Sequence, residues 1–156
     1  MNRNYQDWLP LFGLSASDRQ VVALLAAHGV NTPVTLRPQE LTVNVDFKND
    51  GMSVGFTSEY TLRRGVADLP ILTSVVMKTI LGKTAKSWTT YTGLLPHGLK
   101  KMHSKDDVVS LLGEPVNLDA DLCSARWVVD GRGLGILFAE GWKNIKQLGL
   151  SLPRTI

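Results

Sequence analysis

The second half of this 156-residue chain opens by repeating the residue order that opens the first. Leu9-Pro10, Gly13-Leu14, Ser17, Val21-Val22 and Leu24-Leu25 recur as Leu95-Pro96, Gly98-Leu99, Ser104, Val108-Val109 and Leu111-Leu112. From the serine onward the copies keep one offset of 87 residues, and a β-rich stretch follows each. Such an echo constrains the fold, because each copy is about half a small domain and must close its core against the other. The expected fold is α+β: two tandem helix-plus-antiparallel-sheet modules, residues 1–92 and 93–156, in one compact domain, with the helices on one sheet face. Duplicated modules of this kind build an extended sheet surface suited to gripping a partner.

Local patterns give the elements. Ser17-Asp18-Arg19-Gln20 has the form of a capping box, in which the serine oxygen accepts from the backbone three residues on. Val21, Leu24, Leu25 and His28 follow at the spacing of an amphipathic helix, and Gly29 is placed to end it. His28 then lies at the helix C-terminus, where a partly charged imidazole suits the dipole. From Leu41 the period becomes two: Leu41, Val43, Val45 and Phe47 share a strand face, Asn49-Asp50-Gly51 turns, and Met52, Val54 and Phe56 return. Tyr60 and Leu62 extend that strand or begin another before Arg63-Arg64-Gly65 breaks it. Thr73 to Leu81 and Trp88 to Thr92 are rich in strand-forming residues.

In the second copy, Ser104-Lys105-Asp106-Asp107 resembles a capping box with aspartate in fourth place. Val108, Leu111 and Leu112 form the helix stripe, Gly113 caps it and Pro115 stops it. An acidic loop follows. Ala125, Trp127 and Val129 then share a face before a turn through Asp130-Gly131-Arg132-Gly133. Leu134, Ile136 and Phe138 return, Glu140-Gly141 turns, and Lys146 to Leu152 alternates as a last strand.

Composition narrows the class. The chain is 44% apolar and 20% charged, as expected of a globular domain with a real core. Cys123 is the only cysteine, so no intrachain disulfide forms and nothing calls for an oxidising compartment. The opening MNRNYQDWLPLFG lacks the apolar run of a secretory signal, and no apolar run reaches the length needed to cross a bilayer. A cytoplasmic protein that is not embedded in a membrane is the expectation. Five acids between Asp106 and Asp121, with no Lys or Arg among them, stand in a chain of net charge +3. Without those five negative charges the remainder carries +8, an asymmetry able to orient a charged partner.

Motifs for catalysis are missing. His97, His103 and Asp107 come nearest to a metal cluster, but the histidines are six positions apart across a loop, so no shared helical face holds them. Gly131-Arg132-Gly133-Leu134-Gly135 has spaced glycines within a hairpin, whereas dinucleotide and phosphate loops need a strand-to-helix context. No nucleophile elbow or H-E-x-x-H spacing occurs. The expectation is a non-enzyme with no cofactor and no metal. Trp8, Trp88, Trp127 and Trp142 make tryptophan frequent. Trp127 alternates with core positions, and Trp142 follows a turn and is the best exposed aromatic anchor.

The string Leu95-Pro96-His97-Gly98-Leu99 … Ser104-Lys105-Asp106-Asp107-Val108-Val109 … Leu112-Gly113-Glu114-Pro115 resembles the helical motif of beta-lactamase inhibitory proteins and outer-membrane assembly lipoproteins. The inhibitory proteins are tandem repeats of that unit, with a concave sheet gripping the enzyme. Similar strings occur in toxin-immunity proteins. Chain length and the closing Ile145-Lys146-Gln147-Leu148-Gly149-Leu150-Ser151-Leu152-Pro153 look most like immunity proteins of S-type pyocins, which are nuclease bacteriocins. The motif covers about 20 residues per copy, and the first copy departs from it with Ala26-Ala27-His28-Gly29. The resemblance implies an immunity protein that binds and neutralises a cognate bacteriocin toxin at its nuclease domain.

Nuclease surfaces are basic where they meet DNA, so carboxylates should face them. Glu114, Asp119 and Asp121, in the loop between helix and sheet and free of capping duty, are the expected charged contacts, with Trp142 as aromatic anchor. The alternative is a nucleic-acid-binding module using Arg63, Arg64, Lys100, Lys101, Lys143 and Lys146. A third possibility is a small enzyme acting through His97, His103 and Asp107.

Overall fold

The computed structural model describes residues 4–58, 70–82 and 87–152. Among them, α1 (Arg19–Ala27) precedes strands β1 (Thr42–Phe47), β2 (Met52–Ser58) and β3 (Pro70–Lys78). Helix α2 (Lys105–Leu112) precedes β4 (Asn117–Asp119), β5 (Ser124–Val129), β6 (Arg132–Ala139) and β7 (Lys143–Ser151). The seven strands form one sheet in the order β1-β2-β3-β7-β6-β5-β4, antiparallel at every pairing. The fold is α+β and mostly sheet. No helix is long and apolar enough to cross a membrane among the described residues.

Alternation assigns the two faces of the sheet. Val45, Val54, Val75, Leu150, Leu134 and Trp127 face one another strand by strand, and so do Phe47, Met52, Met77, Leu148, Ile136 and Ala125. These rows join Val21 and Leu25 of α1 and Val108 of α2 in a single buried cluster, so both helices cover the same face. Burying each such side chain contributes roughly 1.5–3 kcal/mol. Trp8 stacks on Phe47 with ring centroids 5.4 Å apart, adding about 0.5–1.5 kcal/mol beyond the area it buries. Trp127 donates its indole N–H to the Gly113 carbonyl at 2.9 Å and so pins the end of α2 to the sheet.

Turn chemistry sets the registers. Gly51 closes the β1–β2 hairpin at φ 65°, and a side chain there would run into the main chain of Thr89, Thr90 and Tyr91. Asp130 and Gly131, at φ 53° and 75°, form a two-residue β5–β6 turn, as the positive φ values of a type I′ turn allow. The turn is thus shorter than the four residues expected from sequence, and Arg132 and Gly133 already belong to β6.

Several expectations change. The N-cap of α1 is Asp18, not Ser17: the Asp18 carboxylate accepts from the Gln20 N–H at 2.8 Å. Ser17 instead bonds Ser15, hydroxyl to hydroxyl at 2.9 Å, which holds it in the turn before the helix. Trp88 to Thr92 forms no strand. Thr89 bonds Lys48 in the turn after β1 and Tyr91 bonds Lys78 at the end of β3, so the segment crosses the end of the hairpin with single bonds to two elements instead of a ladder along one strand. Strand β3 runs from Pro70 to Lys78, shifted toward the N-terminus from the expected Thr73–Leu81. The last strand begins earlier than expected, at Lys143. The acidic loop contains a short strand, β4, all three of whose residues are exposed. Tyr60, Leu62 and Arg63-Arg64-Gly65 lie outside the described residues.

Candidate functional site

The sheet face away from the helices mixes polar and charged side chains with bare glycines. One row crosses all seven strands: Asp46, Ser53, Val76, Gly149, Gly135, Arg126 and Asn117 are successive cross-strand partners. The next row includes Lys78, Gln147, Leu137, Ser124 and Asp119. Over β5, β6 and β7 these rows form an open groove of about 340 Å³ lined by Leu122, Ser124, Arg126, Leu137 and Gln147, with Gly135 and Gly149 as its floor.

The glycines on this face differ in their reasons. A methyl group on Gly55 would overlap the Ser74 hydroxyl and lie 3.1 Å from the Asn44 side-chain oxygen, so packing within the chain requires glycine there. A methyl group on Gly135 would meet nothing within 4 Å, and its φ is not in the left-handed region. Glycine inside a strand costs roughly 0.5–1 kcal/mol relative to alanine. Neither turn geometry nor packing accounts for Gly135, and bare strand backbone is what a closely approaching ligand or partner backbone needs.

Beside the groove runs the edge segment from Glu114 to Leu122. Val116, Leu118 and Leu122 are 69%, 43% and 64% exposed, and Glu114, Asp119 and Asp121 are exposed among them. The segment is held in shape. Strand β4 pairs with β5, Val116 donates to the Arg126 carbonyl at 2.7 Å, and the Asp119 carboxylate accepts from the Asp121 and Leu122 N–H groups at 3.0 and 3.1 Å. Asp119 therefore belongs to β4 rather than a loop, and its carboxylate also closes the β4–β5 turn. Its pairing with Ser124 puts it on the open face beside the groove. Glu114 lies between α2 and β4, and Asp121 in the turn after β4.

Trp142 is placed differently. It is half-buried at φ 61° in the turn Glu140–Trp142, 5.8 Å from the Phe138 ring and 5.1 Å from the Lys105 ammonium. Phe138 belongs to the buried core, so Trp142 leans toward the helix layer and is not brought together with Asp119. The groove over Gly135 and Gly149 and the exposed leucines beside it were not singled out from sequence. The alternation of apolar and acidic residues from Glu114 to Leu122 was the available signal for the edge.

The remaining candidates scatter. The His103 ring accepts from the Lys100 N–H at 3.1 Å. His97 lies 4.0 Å from Asp130. Asp107 completes the α2 capping box: Ser104 and Asp107 each accept from the other's backbone N–H, at 3.2 and 2.9 Å. Those bonds to Ser104 hold the Asp107 carboxyl below its ordinary pKa, because they stabilise the charged form. No group of three metal-ligating residues forms among the described residues. His28 is buried, its side chain 2% exposed and its Nδ1 3.3 Å from Asp50, packed 4.5 Å from the Phe47 ring. A bond from the Ile145 N–H to the Lys101 carbonyl brings the Lys100-Lys101 loop alongside the strand carrying Lys143 and Lys146. Arg63 and Arg64 lie outside the described residues. No family model matches this chain, and no curated protein or solved structure matches it.

Proposed function

We propose that this chain is a cytoplasmic immunity protein that binds a cognate bacteriocin toxin at its nuclease domain and neutralises it by stoichiometric occlusion, without turnover and without a cofactor. The observation that carries the reading is the edge from Glu114 to Leu122. Three exposed apolar residues and three exposed carboxylates lie along it, with Leu118 and Asp119 on the hydrogen-bonded strand β4 and the others flanking it. Apolar side chains held in water by an ordered edge mark an interaction surface, and the carboxylates suit a basic partner. Asp119 joins that edge to the groove floored by Gly135 and Gly149, which admits close approach of partner backbone. Trp142 is a separate aromatic contact in this reading, reached from the side of α2.

The tandem-module reading, residues 1–92 and 93–156, belongs to the same proposal. Each half has a 3-10 turn at its Leu-Pro echo (Leu9–Leu11 and Pro96–Gly98), then a helix, then an antiparallel run of strands. The last strands of the two halves, β3 and β7, pair at the sheet centre. A duplicated unit related by a local two-fold axis between β3 and β7 gives this strand order.

The test is titration of a purified bacteriocin nuclease domain, the cognate one being sought by co-purification with this chain. Stoichiometric occlusion predicts loss of nuclease activity that ends at one equivalent and does not progress with time. Residual activity that keeps falling after mixing would point to an enzyme instead. A second reading, nucleic-acid binding, draws on the adjoining segments that carry Lys100, Lys101, Lys143 and Lys146. Phosphate contacts would give an affinity that falls steeply with salt, and lack of DNA or RNA binding at low salt removes that reading.

A further inference from the structure

The two edges of the sheet are protected unequally. Strand β4 is three residues long and follows Pro115, which blunts it as a template for further pairing. Strand β1 has six residues, contains no proline and pairs with β2 in unbroken register. The Ser58 N–H bonds the Leu41 carbonyl at 2.8 Å, which sets the phase of the ladder. In an antiparallel pair the bonding residues alternate, so Val43, Val45 and Phe47 turn their main-chain groups toward β2. Thr42, Asn44 and Asp46 turn theirs outward, and no backbone hydrogen bond reaches those outward groups among the described residues. A groove of about 650 Å³ runs between this edge and the segment from Val30 to Arg37, leaving space beside the strand.

We infer that β1 pairs with β1 of a second copy of this chain, antiparallel about a two-fold axis through Asn44. The commitment to a second copy comes from the sequence of the edge read against itself. With Asn44 facing Asn44, Thr42 faces Asp46 and Val43 faces Val45, and just beyond the strand ends Glu40, whose carboxylate also accepts from the Arg37 N–H at 3.2 Å, comes opposite Lys48 of the following turn. The exposed Leu41, 59% accessible, then faces Phe47 on the apolar side. Each opposition off the axis occurs twice by symmetry.

Neighbouring registers that keep the outward groups in phase are worse. A slip of two residues in one direction sets Glu40 against Asp46, a slip of two the other way sets Glu40 against Asp50, and a slip of four that way sets Asp46 against itself. Like charges directly opposite each other on a sheet are destabilising. The pairing joins two sheets into one of fourteen strands and leaves both Glu114–Leu122 edges free at its ends.

The experiment is sedimentation velocity on the purified protein over a wide concentration range, with circular dichroism on every variant. The wild type should sediment at twice the 17.1 kDa chain mass and dissociate on dilution. Asn44→Pro removes an outward N–H that the chain itself does not use, as an edge strand tolerates, and should give a folded monomer. Lys48→Glu should weaken the dimer by about tenfold, since two cross-edge pairs turn repulsive. Glu40→Lys combined with Lys48→Glu should restore it. A wild type that stays monomeric at every concentration overturns the inference, as does a folded Asn44→Pro dimer. If Asn44→Pro fails to fold, the charge pair decides: a double variant no tighter than Lys48→Glu alone overturns the register and the inference with it.

Discussion

Replacing Gly135 by alanine should make the protein more stable and a poorer binder. The added methyl group would meet nothing within 4 Å in the free chain, so the substitution relieves the strand of glycine's conformational freedom without a packing cost. The gain is roughly 0.5–1 kcal/mol, which for a domain of this size raises Tm by about 1–4 °C. Gly55 provides the internal control on the same sheet face. There the methyl group overlaps the Ser74 hydroxyl and crowds Asn44, an overpacking that costs about 1–3 kcal/mol and lowers Tm by about 2–12 °C. Thermal denaturation followed by circular dichroism measures both. Titration of Gly135→Ala against the nuclease domain then asks whether the bare backbone serves a partner, and affinity should fall while stability rises. A destabilised Gly135→Ala would refute the packing argument. A stabilised variant with undiminished affinity would remove the groove from the interface.

Ser104→Ala removes half of the α2 capping box and should cost about 1 kcal/mol, read as a lower midpoint in urea. Asp107 has a folded-state pKa held below its ordinary value of 3.8 by its bonds to Ser104. Its contribution to stability is therefore present above that value and lost as the pH falls through the depressed one. Asp107→Asn should be less stable than wild type at neutral pH, and the gap should narrow in thermal melts taken at successively lower pH. Tyr91 behaves in the opposite sense. Burial raises its pKa above 10.0, and its hydroxyl donates to the Leu94 carbonyl at 2.9 Å. Its stabilising contribution is full below that pH and is lost as the pH climbs through the raised folded value. Tyr91→Phe should accordingly lose less stability than wild type on going to strongly alkaline pH.

Elements whose signal is local were legible in the sequence. The Ser104–Asp107 box, the stripe of Val21, Leu24, Leu25 and His28, and the hairpin at Asn49-Asp50-Gly51 each depend on residues a few positions apart. Strand β4 had a signal in the alternation of Val116, Leu118, Ala120 and Leu122 with Asn117, Asp119 and Asp121, but its run of acids reads as a solvated loop, and the strand is only three residues long and exposed throughout. Trp88 to Thr92 misled in the other direction: its β-branched and aromatic residues favour a strand, but its two backbone bonds go to different elements, the turn at Lys48 and the end of β3. Asp18 displaced Ser17 as N-cap because Ser17 is held by Ser15. For the candidate site, the exposure of Glu114, Asp119 and Asp121 follows from charge alone. The groove does not, since bringing Gly135 opposite Gly149 and next to Arg126 depends on registers between strands distant in sequence. Trp142 was read from its turn, and the contacts that draw it inward, Phe138 and Lys105, come from two different elements.

The account stands or falls on the acidic edge. The decisive measurement is the affinity and salt dependence of association between the nuclease domain of the proposed toxin and the triple variant Glu114→Ala, Asp119→Ala, Asp121→Ala, confirmed folded by circular dichroism. Truncating a carboxylate buried in an interface typically costs about 2–5 kcal/mol, while a rim charge acts mainly on the association rate. Because Asp119 also closes the β4–β5 turn through the Asp121 and Leu122 N–H groups, Asp119→Asn in place of Asp119→Ala separates loss of charge from loss of the turn. The predicted result is weaker binding with a flatter dependence of the association rate on salt, in both versions of the variant. Wild-type affinity together with wild-type salt dependence would contradict the account.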